Sequence, residues 1–190
     1  MASVVDICNI ALQKLGAGRI TSISQDAVNA RACLTAYEHC KKAALERHPW
    51  RFATKRASLP ADVPTPDWGK SSSFELPADY IRLLNDYPEM NSTARDFEIE
   101  GRKIFTNYTA PLEIRYVYDV QDTSLFHPLF CEVLACDMAD QMCEALTQSN
   151  SKKQAIVSDR DRALSDARKA NAFVSIAQVA PTSPWITGRQ

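Results

Sequence analysis

The sequence predicts a mainly helical α+β fold: a helical bundle carrying an inserted small antiparallel β subdomain. Three observations predict it. Apolar residues recur at three- and four-residue steps up to Pro49 and again beyond Pro128. Between these regions the period drops to two in several short segments. Pro60, Pro64, Pro66 and Gly69 mark an irregular connection where the character changes. The implied divisions are an N-terminal helical hairpin (1–56), a β-rich insertion (57–121), a C-terminal helical hairpin (122–178) and an extended arm (179–190).

Ser3 and Asp6 form a capping-box pattern, and Val4, Ile7, Cys8, Ala11, Leu12 and Leu15 make one apolar stripe behind it. Gly16 ends this helix, because glycine takes the left-handed C-terminal conformation without steric cost. Ser24 is the expected cap of a second helix with a narrower stripe through Ala27, Ala30, Leu34, Tyr37, Ala44 and Leu45. Pro49 stops it, since it restricts His48 and has no N–H to donate.

In the insertion, residues 73–76, 97–100, 103–106 and 112–120 alternate as half-buried strands do, with a hairpin turn at Glu100, Gly101 and Arg102. Residues 77–84, opened by Pro77, read as a short helical turn. Asp122, Thr123 and Ser124 offer caps for a third helix, in which Pro128 is tolerated in the first turn. Ser149, Asn150 and Ser151 supply the next turn. The last helix carries Ile156, Ala163, Ala167, Ala170, Val174 and Ala177 in one row, a seam narrow enough for close helix packing. Pro181 and Pro184 bar further helix.

The net charge is −1, from 22 basic and 23 acidic side chains, so bulk electrostatics gives no pull toward nucleic acid or an anionic membrane. The N-terminal residues lack the pattern of a secretory signal, and no apolar run approaches a membrane span. Synthesis in a cytoplasm is therefore the expectation. Cys8, Cys33, Cys40, Cys131, Cys136 and Cys143 contain no C-x-x-C pair. Their helical spacing predicts reduced thiols that serve as small buried hydrophobes.

Candidates for chemistry are few. Adjacent His39 and Cys40 point about 100° apart on a helix and do not face each other. Asp137, Asp140 and Glu144 form an acidic row that would hold a hard cation only if a second helix added oxygens; a solvated or partner-facing stripe is the simpler reading. Arg31, Lys41, Lys42, Arg47, Arg51, Lys55 and Arg56 surround Trp50 and Phe52. Interleaved basic and aromatic residues suit single-stranded nucleic acid, whereas the simpler reading makes both aromatics core residues beneath wet charges.

Several blocks share an order with a known family. Ile7 to Leu12 with Leu15-Gly16-Ala17, then Ala30-Arg31, then His48-Pro49-Trp50-Arg51-Phe52-Ala53 and Lys55-Arg56-Ala57, resemble the opening of the tail tubular protein A and head-to-tail adaptor family of short-tailed bacteriophages (podoviruses). Phe74-Glu75-Leu76-Pro77-Ala78-Asp79-Tyr80, Glu98 to Arg102, Ala110-Pro111-Leu112, Arg115-Tyr116 and the run from Phe126 to Ala135 are similar to its later blocks.

The resemblance implies a structural virion protein with no enzymatic activity and no cofactor, metal or small-molecule substrate. It implies a ring of about twelve copies joining the portal protein to the tail nozzle protein at the head–tail junction. Genomic DNA would pass through that ring non-specifically, without a membrane partner. On this reading Trp185, Ile186 and Arg189 bind the portal or a neighbouring subunit, the arm ordering there rather than in the free chain. Lys41, Lys42, Arg47, Arg160 and Arg162 are candidate DNA-channel or interface charges. The alternatives are a helical nucleic-acid-binding module and a cell-wall-degrading hydrolase in which Glu38, Glu46 or the Asp137 row converge.

Overall fold

Ser3 opens the first helix as its spacing predicts. In the computed structural model, which describes residues 2–63, 66–84 and 97–174, the Asp6 amide donates to Ser3 Oγ at 3.1 Å and the Ser3 amide donates to Asp6 Oδ2 at 2.9 Å. α1 (Val4–Leu15) ends at Gly16, whose φ of 69° lets its amide and that of Ala17 reach the carbonyls of Gln13 and Leu12 at 3.0 and 2.9 Å. Lys152 Nζ donates to Leu15 O at 2.6 Å, so a distant helix closes this terminus.

The second helix starts later than Ser24 implies. Gln25 Oε1 accepts from the amides of Thr21 and Ser22 at 3.0 and 3.4 Å, and Ser24 Oγ bonds Ser22 Oγ at 2.8 Å. These groups satisfy one another within the loop, and α2 (Val28–Arg47) begins behind Ala27 with no side-chain cap. Buried Asn9 holds the connection, donating through Nδ2 to Ile20 O at 3.0 Å and accepting from the Ile20 amide at 2.8 Å.

The inward face of α2 is Ala30, Cys33, Tyr37, Cys40 and Ala44, at three- and four-residue steps. Leu34, expected inside, is 57 % exposed. It lies one residue past Cys33, about 100° around the helix from the buried row. His48, ahead of Pro49, is extended with φ −148° and ψ 144°, and ends the helix as expected.

After a 3-10 turn at Arg51–Ala53 come β1 (Thr54–Leu59), β2 (Ser72–Glu75), β3 (Tyr80–Leu83), β4 (Phe97–Glu100), β5 (Lys103–Thr106) and β6 (Leu112–Tyr118). They build two three-stranded antiparallel sheets, β1-β6-β3 and β2-β5-β4, rather than one. β1 has no strong alternation and was not expected as a strand. β3 replaces the expected helical turn: the Tyr80 amide still closes a turn to Pro77 O at 3.0 Å, but β6 then captures the next residues in a ladder that pairs Leu83 with Tyr116. Tertiary pairing outweighs local preference in so short a segment. The β4–β5 turn falls at Gly101 as predicted, with φ 58°.

Asp122 caps a 3-10 turn (Thr123–Leu125), accepting from the Ser124 amide at 2.9 Å. α3 (Pro128–Thr147) is capped by His127, whose Nδ1 accepts from the Leu129 amide at 3.4 Å, with Pro128 in the first turn. Ser149 caps α4 (Asn150–Phe173). α3 packs against α1, α2 and α4, and its buried face includes Phe130, Leu134, Met138 and Met142. The fold is mixed α+β, with one core among the helices and a second in the β region through Phe74, Ile104, Leu112 and Ile114. No described helix is long and apolar enough to cross a membrane.

Candidate functional site

Trp50 stands where the helical core meets the first sheet. It is 2 % exposed, and its Nε1 donates to Ala44 O at 2.8 Å, which satisfies its one polar atom. The Phe130 ring meets it edge-on with centroids 5.1 Å apart, and Phe52 and Phe126 each lie 5.0 Å from Phe130. Trp50 is a core residue, as the simpler sequence reading holds, and Phe52 is half-buried against the same core. One side of this cluster is open: a groove of about 520 Å³ runs between it and the last turns of α4, which contribute Ala167 and Ala170, with Val174 just past the helix end.

Asn171 locks α4 to the chain leaving α2. Its Oδ1 accepts from the Arg51 amide at 2.9 Å, and its Nδ2 donates to Pro49 O at 3.2 Å and to His48 Nε2 at 3.0 Å. That last bond requires a neutral imidazole with an unprotonated Nε2. Burial, then the charges of Arg168 and Arg82, hold His48 below the usual imidazole range.

Beside the clamp lies a recess of about 230 Å³ lined by His48, Arg51, Arg115 and Asn171. Arg56 sits directly opposite Arg115 in the β1–β6 register. Burial, with Arg51 and Arg56 nearby, lowers the Arg115 guanidinium below its ordinary range. This basic corner draws on the residues just past α2 and β3, the 3-10 turn at Arg51, and β1, β6 and α4, so no single local spacing announces the whole of it. The sequence hints are Arg51 and Arg56 in the basic stretch around Trp50 and Asn171, a polar residue within an alanine-rich row.

The charges singled out from sequence separate into buried and exposed. Lys41 is inside, 1 % exposed, with Asp119 and Glu38 at 3.0 Å and Gln121 at 3.3 Å. That placement corrects its reading as a channel charge, since its stem completes the core face of α2 while its ammonium is neutralised. Arg47 is engaged with Asp137 at 3.0 Å, and Arg160 with Asp140 at 3.1 Å and Asp161 at 3.2 Å, so both are internal ties. Lys42 is 58 % exposed, 3.7 Å from Asp119, and Arg162 is 76 % exposed, 3.9 Å from Asp159. Trp185, Ile186 and Arg189 lie outside the described residues.

No protein-family model matches the chain, and no curated protein matches it either.

The acidic row divides: Asp137 meets Arg47 from α2 and Asp140 meets Arg160 from α4, so these two tie α3 to the helices beside it, while Glu144, 86 % exposed and 3.9 Å from Lys153, keeps the solvated placement of the simpler reading. Cys40 turns inward and donates to Gln141 Oε1 at 2.9 Å, while His39 is exposed. Burial pushes the Cys40 thiol up to about 12, which keeps it protonated and unreactive. All six cysteines are buried.

Proposed function

We propose that this chain is a structural subunit of a head-to-tail adaptor ring in the virion of a short-tailed bacteriophage, placed between portal and tail nozzle and extending the DNA channel. The ordered sequence blocks suggest the family. The structural observation that carries the reading is α4. This helix is about 36 Å long at 1.5 Å per residue, yet only Ile156 and Ala167 of its 24 residues are fully buried.

Its outward surface alternates in sign, with Asp159 and Arg162 at 3.9 Å and Asp166 and Lys169 at 3.4 Å. A helix with so little core of its own is suited to bridging to something beyond its own chain. Charges of both signs suit a heterologous contact between copies, where one face meets a different face of the next subunit. Lys42 and Arg162 are the exposed cations from the predicted set available for such contacts or for weak contact with passing DNA. Light scattering of the protein titrated with its cognate portal tests the proposal: mass rises by a fixed number of subunits per portal if it holds, and stays additive at every ratio if it fails.

A second reading, a nucleic-acid-binding module, is favoured by the basic recess at His48, Arg51 and Arg115. It predicts DNA binding by the isolated protein that weakens steeply with salt.

A further inference from the structure

The groove beside Trp50 has a floor and walls but open space within. Phe52, Phe126 and Trp50 make an aromatic floor, and Ala167 and Ala170 leave room where larger residues would fill it. Leu125 and Val174, 48 % and 69 % exposed, form an apolar rim. Its volume of about 520 Å³ lies within the range of pockets that bury a ligand-sized group, about 300–1,000 Å³.

Val174 is both part of this wall and the last described residue, and residues 175–190 continue from it. Trp185 is the one aromatic residue in that stretch, Ile186 follows it, and the stretch contains no carboxylate side chain. Pro181 and Pro184 bring no backbone N–H, so this stretch of sequence has fewer donors to satisfy in apolar surroundings. The eleven steps from Val174 to Trp185 span up to about 36 Å when extended, ample for a return to a groove that begins at the tether itself.

We propose that the groove receives Trp185 and Ile186 of the same chain. A short tether gives the segment an effective concentration in the millimolar range, above that of any separate copy at micromolar protein. The indole covers the open side of the Phe52–Phe126–Phe130 cluster, where offset or edge-on rings attract beyond simple burial. Occupancy in the free subunit shields the apolar rim, and use of the arm on another molecule then becomes an exchange. The inference stands independently of the ring reading.

The test uses the full chain labelled with 5-fluorotryptophan and fluorine NMR, with the solvent isotope shift between H2O and D2O as the readout. Trp68, 88 % exposed, and Trp50, 2 % exposed, are built-in references, and Trp185→Phe assigns the third signal. Trp185 is expected to show a small shift like that of Trp50, unchanged on hundredfold dilution. Ala170→Arg, which fills the groove, and Leu125→Lys, at the exposed rim, should each move it to the full shift of Trp68. Leu125→Lys decides if Ala170→Arg fails to fold. A full shift in the unsubstituted chain overturns the proposal. Protection lost on dilution overturns it in favour of a second copy, and protection that survives both substitutions overturns the groove as the seat.

Discussion

One guanidinium nitrogen of Arg47 on α2 donates to both carboxylate oxygens of Asp137 on α3, at 3.1 and 3.0 Å, with the Asp137 side chain only 7 % exposed. Burial nonetheless leaves the Asp137 carboxyl above its ordinary value, because Arg47 only partly offsets the desolvation. A carboxyl raised in the folded state contributes stability that is full below the unfolded value of 3.8 and is lost as pH rises through the folded one.

Removing one partner should therefore cost more than removing both. Arg47→Met is expected to destabilise by about 3 kcal/mol at neutral pH, because it strands a buried carboxylate. The cost should shrink in acid as Asp137 takes a proton. Arg47→Met with Asp137→Leu should recover most of the loss. Urea unfolding of the two single variants and the double decides it, and additive losses would contradict the account.

Trp50→Ala should cost about 3 to 5 kcal/mol, the range for truncating a large buried aromatic. It removes ring contacts with Phe130 and Phe52 and the bond to Ala44 O together. Thermal unfolding measures the loss. Unchanged stability with lost DNA binding would instead make Trp50 a stacking residue.

His48 supplies a pH dependence of opposite sign to that of Asp137. Its folded value lies below 6.5, so its contribution is present above 6.5 and is lost as pH falls through the folded value. Protonation also ends its acceptance from Asn171 Nδ2. His48→Gln keeps an acceptor without titrating, so the stability difference between variant and parent should shift in favour of the variant between pH 7.5 and 5. A pH-independent difference would contradict the clamp.

Much of the helical layer was legible because its signals are local. The Ser3 capping box, the Gly16 terminus, the stop at Pro49 and the inward cysteines each follow from a few neighbouring residues. β1 and β3 were hidden because their partner, β6, lies more than 25 residues further along the chain and pairing rather than composition makes them strands. Lys41, Asp137 and Asp140 misled for a related reason. A charge looks solvent-facing in sequence, and only the fold reveals a countercharge on another element, such as Asp119 for Lys41. The basic corner at His48 was legible only in part: Arg51 and Arg56 stand in the basic stretch around Trp50, but Arg115 and Asn171 reach it from β6 and α4, far along the chain.

Burial predicts the behaviour of the thiols as well. Under native conditions the six cysteines should resist alkylation, and in denaturant all six should react, as followed by intact mass. A stoichiometric zinc adduct, or fewer than six reactive thiols after unfolding, would contradict their role as buried hydrophobes.

The central claim is assembly into a ring on the portal, and electron microscopy of the purified protein with and without its cognate portal tests it most directly. The account predicts an added annular layer, concentric with the portal channel and absent from either protein alone, with the α4 surface at the contacts between copies. Portal particles unchanged at saturating subunit concentration, with this protein left dispersed, would contradict it.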